Sequence, residues 1–358
     1  ELTSATVNGN NYAYDYDNIG NRNYATVGEE ETTYSTNNLN QYTSEGDFTP
    51  EFDMDGNQTR IKTETGIWEV IYNAEKRPVR FTSTNGYTII ECSYDSMGRR
   101  ATKKVTTNGS VTLHQRYIYR GYLQVTCCDL TRSEHPSLWF ITWEPTQPIA
   151  TRPLAIQKDG TWYTYGWDLT KNICEVFGPA GYIRTAYTYT PYGEVSTSGD
   201  VSQPIQWSSE YNDTELGLVY YNYRHYNPVE GRWIGRDFVR DIFRVNDSCL
   251  NLYSIVGNLV SQYTDRLGLL FDERQYAYRK TKIGIKLIGS HWLVIEGLLL
   301  HHLYSGNGET VSYDINILHS INETYVRNAL GFIKRGYKKM KNGNYYNIWK
   351  YDIKAKRF

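Results

Sequence analysis

Side chains able to do chemistry gather toward the C-terminus of this 358-residue chain, where His291, Glu296, His301, His302 and His319 follow one another. Imidazole and carboxylate groups of this kind can furnish a general base, a general acid or metal ligands. Close behind them Arg327, Lys334, Arg335, Lys338 and Lys339 form a basic set able to hold phosphates. No spacing selects one of these chemistries. The adjacent His301 and His302 would point to opposite faces of a regular strand, which argues against one metal held by both. Neither a metal site nor a cofactor is expected. The segment 270–358 has no cysteine, so a thiolate nucleophile and thiolate-ligated zinc are excluded there. Elsewhere the five cysteines, Cys92, Cys127, Cys128, Cys174 and Cys249, are odd in number and show no CxxC spacing, which indicates neither a disulfide framework nor a zinc site.

The element pattern that would position these groups is a small α+β module over residues 270–358. KIGIKLIG from Lys282, HWLVIEGLLL from His291 and VSYDINIL from Val311 read as strands, with SGNGET from Ser305 as a turn. Ser320 with Glu323 forms a capping box ahead of a helix running to about Met340, along which Val326, Leu330, Ile333 and Tyr337 repeat at helical spacing. NYYNIWKYDI from Asn344 would close the sheet. From Leu270 onward there are 15 Lys+Arg against 7 Asp+Glu, net +8, whereas the residues before it carry 23 against 32, net -9. An acidic body thus carries a basic tail, and the tail is a candidate binder of polyanions, nucleic acid among them. The apolar stretch Leu287–Leu303 is interrupted by Ser290, His291, Glu296, His301 and His302, so no transmembrane segment is expected.

Ahead of the tail the composition changes character. The chain holds 34 tyrosines against 10 phenylalanines, with 29 glycines and 3 methionines. Such a composition favours many short strands, because a tyrosine on a half-wet sheet buries its ring while its hydroxyl finds a partner. Four segments repeat one theme: YDNIGNR from Tyr16, FDMDGNQ from Phe52, YNAEKRP from Tyr72 and YDSMGRR from Tyr94. The gap between the first two has room for a degenerate copy around YSTNNLNQY from Tyr34, which gives a period of roughly twenty residues. Looser echoes are GWDLTKN from Gly166 and YTPYGE from Tyr189. Asp or Asn followed by a residue tolerant of positive φ is a turn between alternating strands, so the repeat reads as a hairpin array whose units must stack to bury their apolar faces. Because the chain opens at Glu1 already inside a repeat, without a signal peptide, it reads as a fragment of something longer.

The most specific stretch is LGLVYYNYRHYNPVEGRWIGRD, from Leu216 to Asp237, followed by NLYSIVGNLVSQYTDRLGL, from Asn251 to Leu269. With the repeats it resembles the YD-repeat and core regions of bacterial Rhs proteins, of the C components of ABC toxin complexes and of teneurins. Tyr220, Tyr221, Arg224, Tyr226, Pro228, Gly231, Arg232, Trp233, Ile234 and Asp237 follow the core pattern in order. The resemblance covers about three quarters of the chain. It implies a mainly β fold in which a YD-repeat hairpin sheet spirals into a shell (1–215), closed by the Rhs-associated core (216–269) and followed by the variable tail (270–358). Tyr220, Tyr221, Tyr226 and Trp233 are expected to pack, and Arg224 and Arg232 to tie strands to carboxylates.

The resemblance further implies an aspartyl-type self-cleaving protease. By position Asp237 matches the first catalytic aspartate, Asp265 the second and Arg236 an adjacent basic residue, with the cut between Leu269 and Leu270. Two carboxylates held close cannot both ionise cheaply, so one polarises the scissile carbonyl while the other activates water. The motifs depart from the family at DFVR and DRLG, where Phe238 and Arg266 stand in place of prolines and Arg240 in place of a glycine. Family analogy makes the tail an enclosed cargo of toxin type, often a nuclease, met by a cognate immunity protein and carried by a bacterial protein that is secreted, displayed on the cell surface or delivered. The competing reading is a structural or adhesive YD-repeat protein with a vestigial core and an inactive tail.

Overall fold

A computed structural model describes residues 1–145, 152–237, 251–265 and 267–268, together with the backbone of four short strands in the C-terminal segment. The chain divides into one unit spanning Glu1–Phe271 and another spanning Asp272–Phe358.

In the first unit the repeated turn has a specific physical basis. Asp17 accepts through Oδ1 from the backbone N–H of Ile19 at 3.0 Å and of Asn21 at 2.8 Å, so one side chain pins a five-residue loop. Asn73, Asp95 and Asp168 each make the same pair of bonds two and four residues on. Asp53 makes the second of them, to Asn57. The degenerate copy is present as well: Asn37 holds Leu39 and Gln41. Thr190 takes the position in YTPYGE, accepting from the Glu194 N–H. The fourth loop residue is left-handed, with φ of +84° at Gly20, +62° at Asn40 and +72° at Gly98, which explains the glycine and asparagine there.

Ahead of four of these turns the residue is tyrosine, for a reason that phenylalanine could not serve. Tyr16, Tyr72, Tyr94 and Tyr189 donate their hydroxyls to the carbonyls of Leu2, Gln58, Pro78 and Ile173, at 2.7–2.9 Å. Trp167 does the same through Nε1 to Pro153. Each ring therefore packs on the interior while its polar tip closes back onto an earlier strand. Tyr94→Phe removes one such bond and is expected to lower stability by about 1 kcal/mol, read as a reduced urea midpoint at unchanged slope.

Strands joined by these turns pair with their sequence neighbours throughout, all antiparallel. Five form one sheet, from Ser4–Val7 to Tyr42–Glu45, and fourteen form a second, from Glu51–Phe52 to Val195–Gly199. A third sheet of four strands, Tyr211–Asp213, Leu218–Tyr221, Arg224–Asn227 and Arg232–Trp233, belongs to the core signature. Strand Gly66–Tyr72 shows the usual alternation, burying Trp68 and Val70. The strands Leu218–Tyr221 and Arg224–Asn227 are instead buried at every position. The reason is that the small sheet is packed on both sides: Leu216, Leu218 and Ile234 join Ile61, Phe81 and Ile90 of the long sheet, while Tyr221, Tyr226 and Trp233 join Tyr12, Tyr14 and Ala25 of the first. This is the mainly β hairpin fold expected of a YD shell, with the core signature as its hub. Among the described residues no helix is long and apolar enough to cross a membrane.

In the C-terminal unit, Val294–Ile295 pairs with Leu298–Leu299, and Tyr337–Lys339 with Tyr345–Asn347. Two readings of the tail change. The stretch from His291, read as one strand, holds two short paired strands. Tyr337–Lys339, where the helix was to end, is a strand, because Gly336 breaks the helical pattern and Tyr345–Asn347 supplies a pairing partner. Lys338 and Lys339 lie on that strand. His291, Glu296, His301, His302, His319, Arg327, Lys334, Arg335 and the predicted cut at Leu269 and Leu270 lie outside the described residues.

Candidate active site

Three backbone bonds stitch the core signature together around its third strand. Asp237 N–H donates to the Leu252 carbonyl at 3.0 Å, Trp233 N–H to Tyr253 at 2.9 Å, and Tyr223 N–H to Leu267 at 3.1 Å. With Ile234 N–H also donating to the His225 carbonyl at 3.1 Å, the segments carrying Asp237 and Asp265 are drawn to the start of Arg224–Asn227 from two directions. There the Arg224 Nη2 lies 3.0 Å from Asp237 Oδ2 and 3.3 Å from Asp265 Oδ2. Both carboxylates meet one nitrogen, so their oxygens are within the sum of those distances of each other. Asp237 is 4% and Asp265 5% exposed. The guanidinium stacks over Trp233 at 4.0 Å and donates through Nε to the carbonyl of Gly268. Arg224 thus orients two buried acids and the chain that follows the second.

The second aspartate borders a cavity of about 10 Å³, close to the volume that admits one water, shared with Asn172, Ser208 and Tyr221. Ser208 and Ser209 are both left-handed there, at φ +54° and +59°. They are held so because Asn172 Oδ1 accepts from Ser208 N–H at 2.7 Å and Ser209 Oγ donates to the Lys171 carbonyl at 2.6 Å. The YD turn at Asp168 therefore shapes the wall beside Asp265.

Residues 1–260 match the Teneurin YD-shell family. The chain belongs to that family. Among its relatives, Teneurin-1 of Gallus gallus is 25% identical over 323 residues, covering 86% of this chain and 11% of the relative. The tRNA3(Ser)-specific nuclease WapA of Bacillus spizizenii is 25% identical over 240 residues, 63% of this chain and 9% of the relative. The chain thus spans about a tenth of the length of either protein. A crystal structure of TcdB2-TccC3-TEV shares the fold over 73% of this chain and 13% of that one, with a TM-score of 0.56 and 20% identity. These likenesses make the body an Rhs/YD-repeat shell.

Within this YD shell the site residues read from sequence separate. Asp237 and Asp265 come together, but the cation between them is Arg224, read beforehand only as a tie between strand and carboxylate. Arg236 lays its aliphatic stem against Gly56, where a Cβ would stand 2.3 Å from Cδ, so the turn at Asp53 needs glycine for this close approach. Arg232 ties the core to amide oxygens: it donates to the Asn40 carbonyl at 2.6 Å and to the side-chain oxygens of Asn21 and Asn251, stacked over Tyr42. The tie was legible in the residue type, and its acceptors were not, because they come from distant turns. His225 is buried, and burial holds its imidazole below the usual range and hence uncharged near neutral pH, with Nε2 3.7 Å from Asp213.

A second pair of acids lies where the first sheet meets the core. Burial, with the Glu230 carboxylate next, pushes Glu45 up from 4.5 to about 8, while Lys62, Arg22 and Arg232 oppose the rise. Glu230 is raised too, and accepts from Gln58 Nε2 at 2.9 Å. A raised carboxyl binds its proton more tightly folded than unfolded, so its stabilising effect is complete below the unfolded value and is lost as pH climbs through the folded one. Thermal unfolding should therefore show the unmodified chain losing on the order of 3 kcal/mol between about pH 5 and about pH 8 relative to Glu45→Gln. Parallel pH curves for the two proteins would rule this out.

Proposed function

We propose that this chain is the C-terminal part of a toxin-type carrier whose shell holds residues 270–358 as cargo and releases them by aspartyl-type self-cleavage after Leu269. The observation that carries the reading is the meeting of Asp237 and Asp265 on Arg224, which also holds the carbonyl of Gly268, one residue before the proposed cut. In the reaction one aspartate carries a proton and hydrogen-bonds the Leu269 carbonyl, while the other takes a proton from water as its oxygen attacks that carbon. Collapse of the tetrahedral species breaks the bond to the Leu270 nitrogen, which leaves with a proton, and a new carboxyl terminates the shell. The cavity beside Asp265 suits the attacking water. The chain supplies its own scissile bond, so no substrate has to be captured.

The relative named as a tRNA3(Ser)-specific nuclease supports a cargo of nuclease type, and the basic tail supports a polyanionic target such as nucleic acid. An immunity protein that binds the tail, and secretion or delivery from a bacterium, belong to the same reading.

Intact mass of the purified full chain, beside Asp237→Asn and Asp265→Asn, tests it. The unmodified protein should yield fragments ending at Leu269 and beginning at Leu270, and each variant a single full-length species. A full-length mass for the unmodified protein with a native-like circular dichroism spectrum would reject self-cleavage and leave the non-catalytic, structural reading.

A further inference from the structure

The outward face of the long sheet is divided by charge. Over its first half Arg80 pairs across to Glu91 and Glu91 to Lys104, with ion contacts at 3.7 and 3.3 Å. Over its second half the charge disappears. One row runs Ile118, Thr126, Phe140, Gln157 and Trp162, from strand Ser110–Arg120 to strand Thr161–Trp167. Two residues farther along, a second row runs Thr142, Ala155, Thr164, Phe177 and Ile183, ending on strand Ile183–Tyr189. Neither row holds an ionisable residue.

These side chains point away from the core, since the alternate residues Trp139, Ile141, Ile156, Tyr165 and Val176 fill the buried cluster on the other face. Ile118, Phe140 and Trp162 remain 44–45% exposed and Ile183 57%. With strands about 4.8 Å apart and rows about 7 Å apart, the uncharged field covers roughly 400 Å². Patches of that size on a soluble body mark interaction sites.

The margin of the field indicates what covers it. Arg116 and Arg120, both exposed, stand two residues before and after Ile118 on the same side of their strand. At the opposite end Glu175 pairs with Gly166 and lays its carboxylate over that glycine, where a Cβ would stand 2.6 Å from Oε2. A face positive at one end and negative at the other is complementary to itself.

We propose that this face pairs with the same face of a second copy of the chain, about a two-fold axis lying along strand Pro153–Lys158. That axis carries Phe140 onto Trp162 of the second copy and brings Arg120 within reach of its Glu175, whereas an axis across the strands would set Arg120 against Arg120. Gln157 falls on the axis, where its amide both donates to and accepts from its counterpart. Ala155 on the same strand leaves room for the two sheets to approach to about 10 Å. With the polar ring around the field, each copy offers roughly the 800 Å² that a partner in a stable complex contributes.

Sedimentation velocity of the full chain carrying Asp237→Asn tests this on a sample that stays uncleaved whether or not the chain processes itself, so the outcome is separate from the self-cleavage reading. Between about 1 and about 100 µM a monomer should pass to a dimer, with its midpoint in the micromolar range. Phe140→Lys with Trp162→Lys, at positions half in water, should raise the midpoint roughly tenfold or more without changing the thermal melting of the monomer. Arg120→Glu and Glu175→Arg should each raise it roughly fivefold, and the two together should restore it, which an indiscriminately adhesive surface would not do. Lys104→Gln, on the charged half, should leave the midpoint unchanged. A chain still monomeric at about 100 µM, a dimer indifferent to the two lysines, or a charge swap without rescue would overturn the proposal.

Discussion

Asp213→Ala is expected to destabilise the shell by about 3–5 kcal/mol, enough to unfold a marginal domain. Asp213 is 0% exposed and lies 2.5 Å from Arg100 Nη1 and 2.9 Å from Lys103 Nζ, two cations of the long sheet that are themselves buried. Burial alone would raise its carboxyl, but Arg100 and Lys103 outweigh that and hold it well below the usual carboxylate range. Removing it leaves two desolvated cations with Glu215, which reaches only Lys103, and with the rings of Tyr117, Tyr211 and Tyr220 around the Arg100 guanidinium. Stacking of that kind returns far less than the lost ion pairs. The pH dependence follows: the contribution is complete above the unfolded value of 3.8 and is lost as pH falls toward the folded one. Urea denaturation at neutral pH checks it, and a midpoint for Asp213→Ala equal to that of the unmodified chain would refute the claim that this cluster locks the core onto the long sheet.

Arg224→Lys carries the next largest expected effect, on the proposed self-cleavage rather than on stability. A lysine keeps the charge, but a single ammonium cannot present one nitrogen to two aspartates and another to Gly268 while stacking flat on Trp233. The expected result is a folded shell in which cleavage slows by roughly a hundredfold, because misplacing reacting groups by an ångström costs on that scale. Following fragment formation over a range of pH separates positioning from simple destabilisation: the pH of half-maximal rate should shift for Arg224→Lys, whereas a merely looser fold would lower the rate at every pH alike. Cleavage at the unmodified rate and with an unmodified profile would remove Arg224 from the site.

The legibility of this protein follows the range of its interactions. The hairpin array could be read because Asp17, Asn37, Asn73 and Asp95 bond to amides two and four residues away, inside the window a repeat displays. The tyrosine bias could be read as a half-wet sheet, although its acceptors on earlier strands could not. The tail helix failed at Tyr337–Lys339 because strand pairing with Tyr345–Asn347 overrode a periodicity that counts only nearest turns. Asp237 and Asp265 were found through the core signature, whereas the choice of Arg224 over Arg236 as the cation between them was not open to sequence. Adjacency in the chain favoured Arg236, yet Ile234 N–H donates to the His225 carbonyl and Tyr223 N–H to the Leu267 carbonyl, which brings both aspartate segments to the strand that carries Arg224.

By itself, then, the sequence determined the turns, the alternation and the family pattern, all of which rest on contacts within a few residues. Only the tertiary structure decided which charges meet. The bonds from Arg100 and Lys103 to Asp213 close across more than a hundred residues, and their partners are selected by how the small sheet seats against the long one rather than by any spacing along the chain.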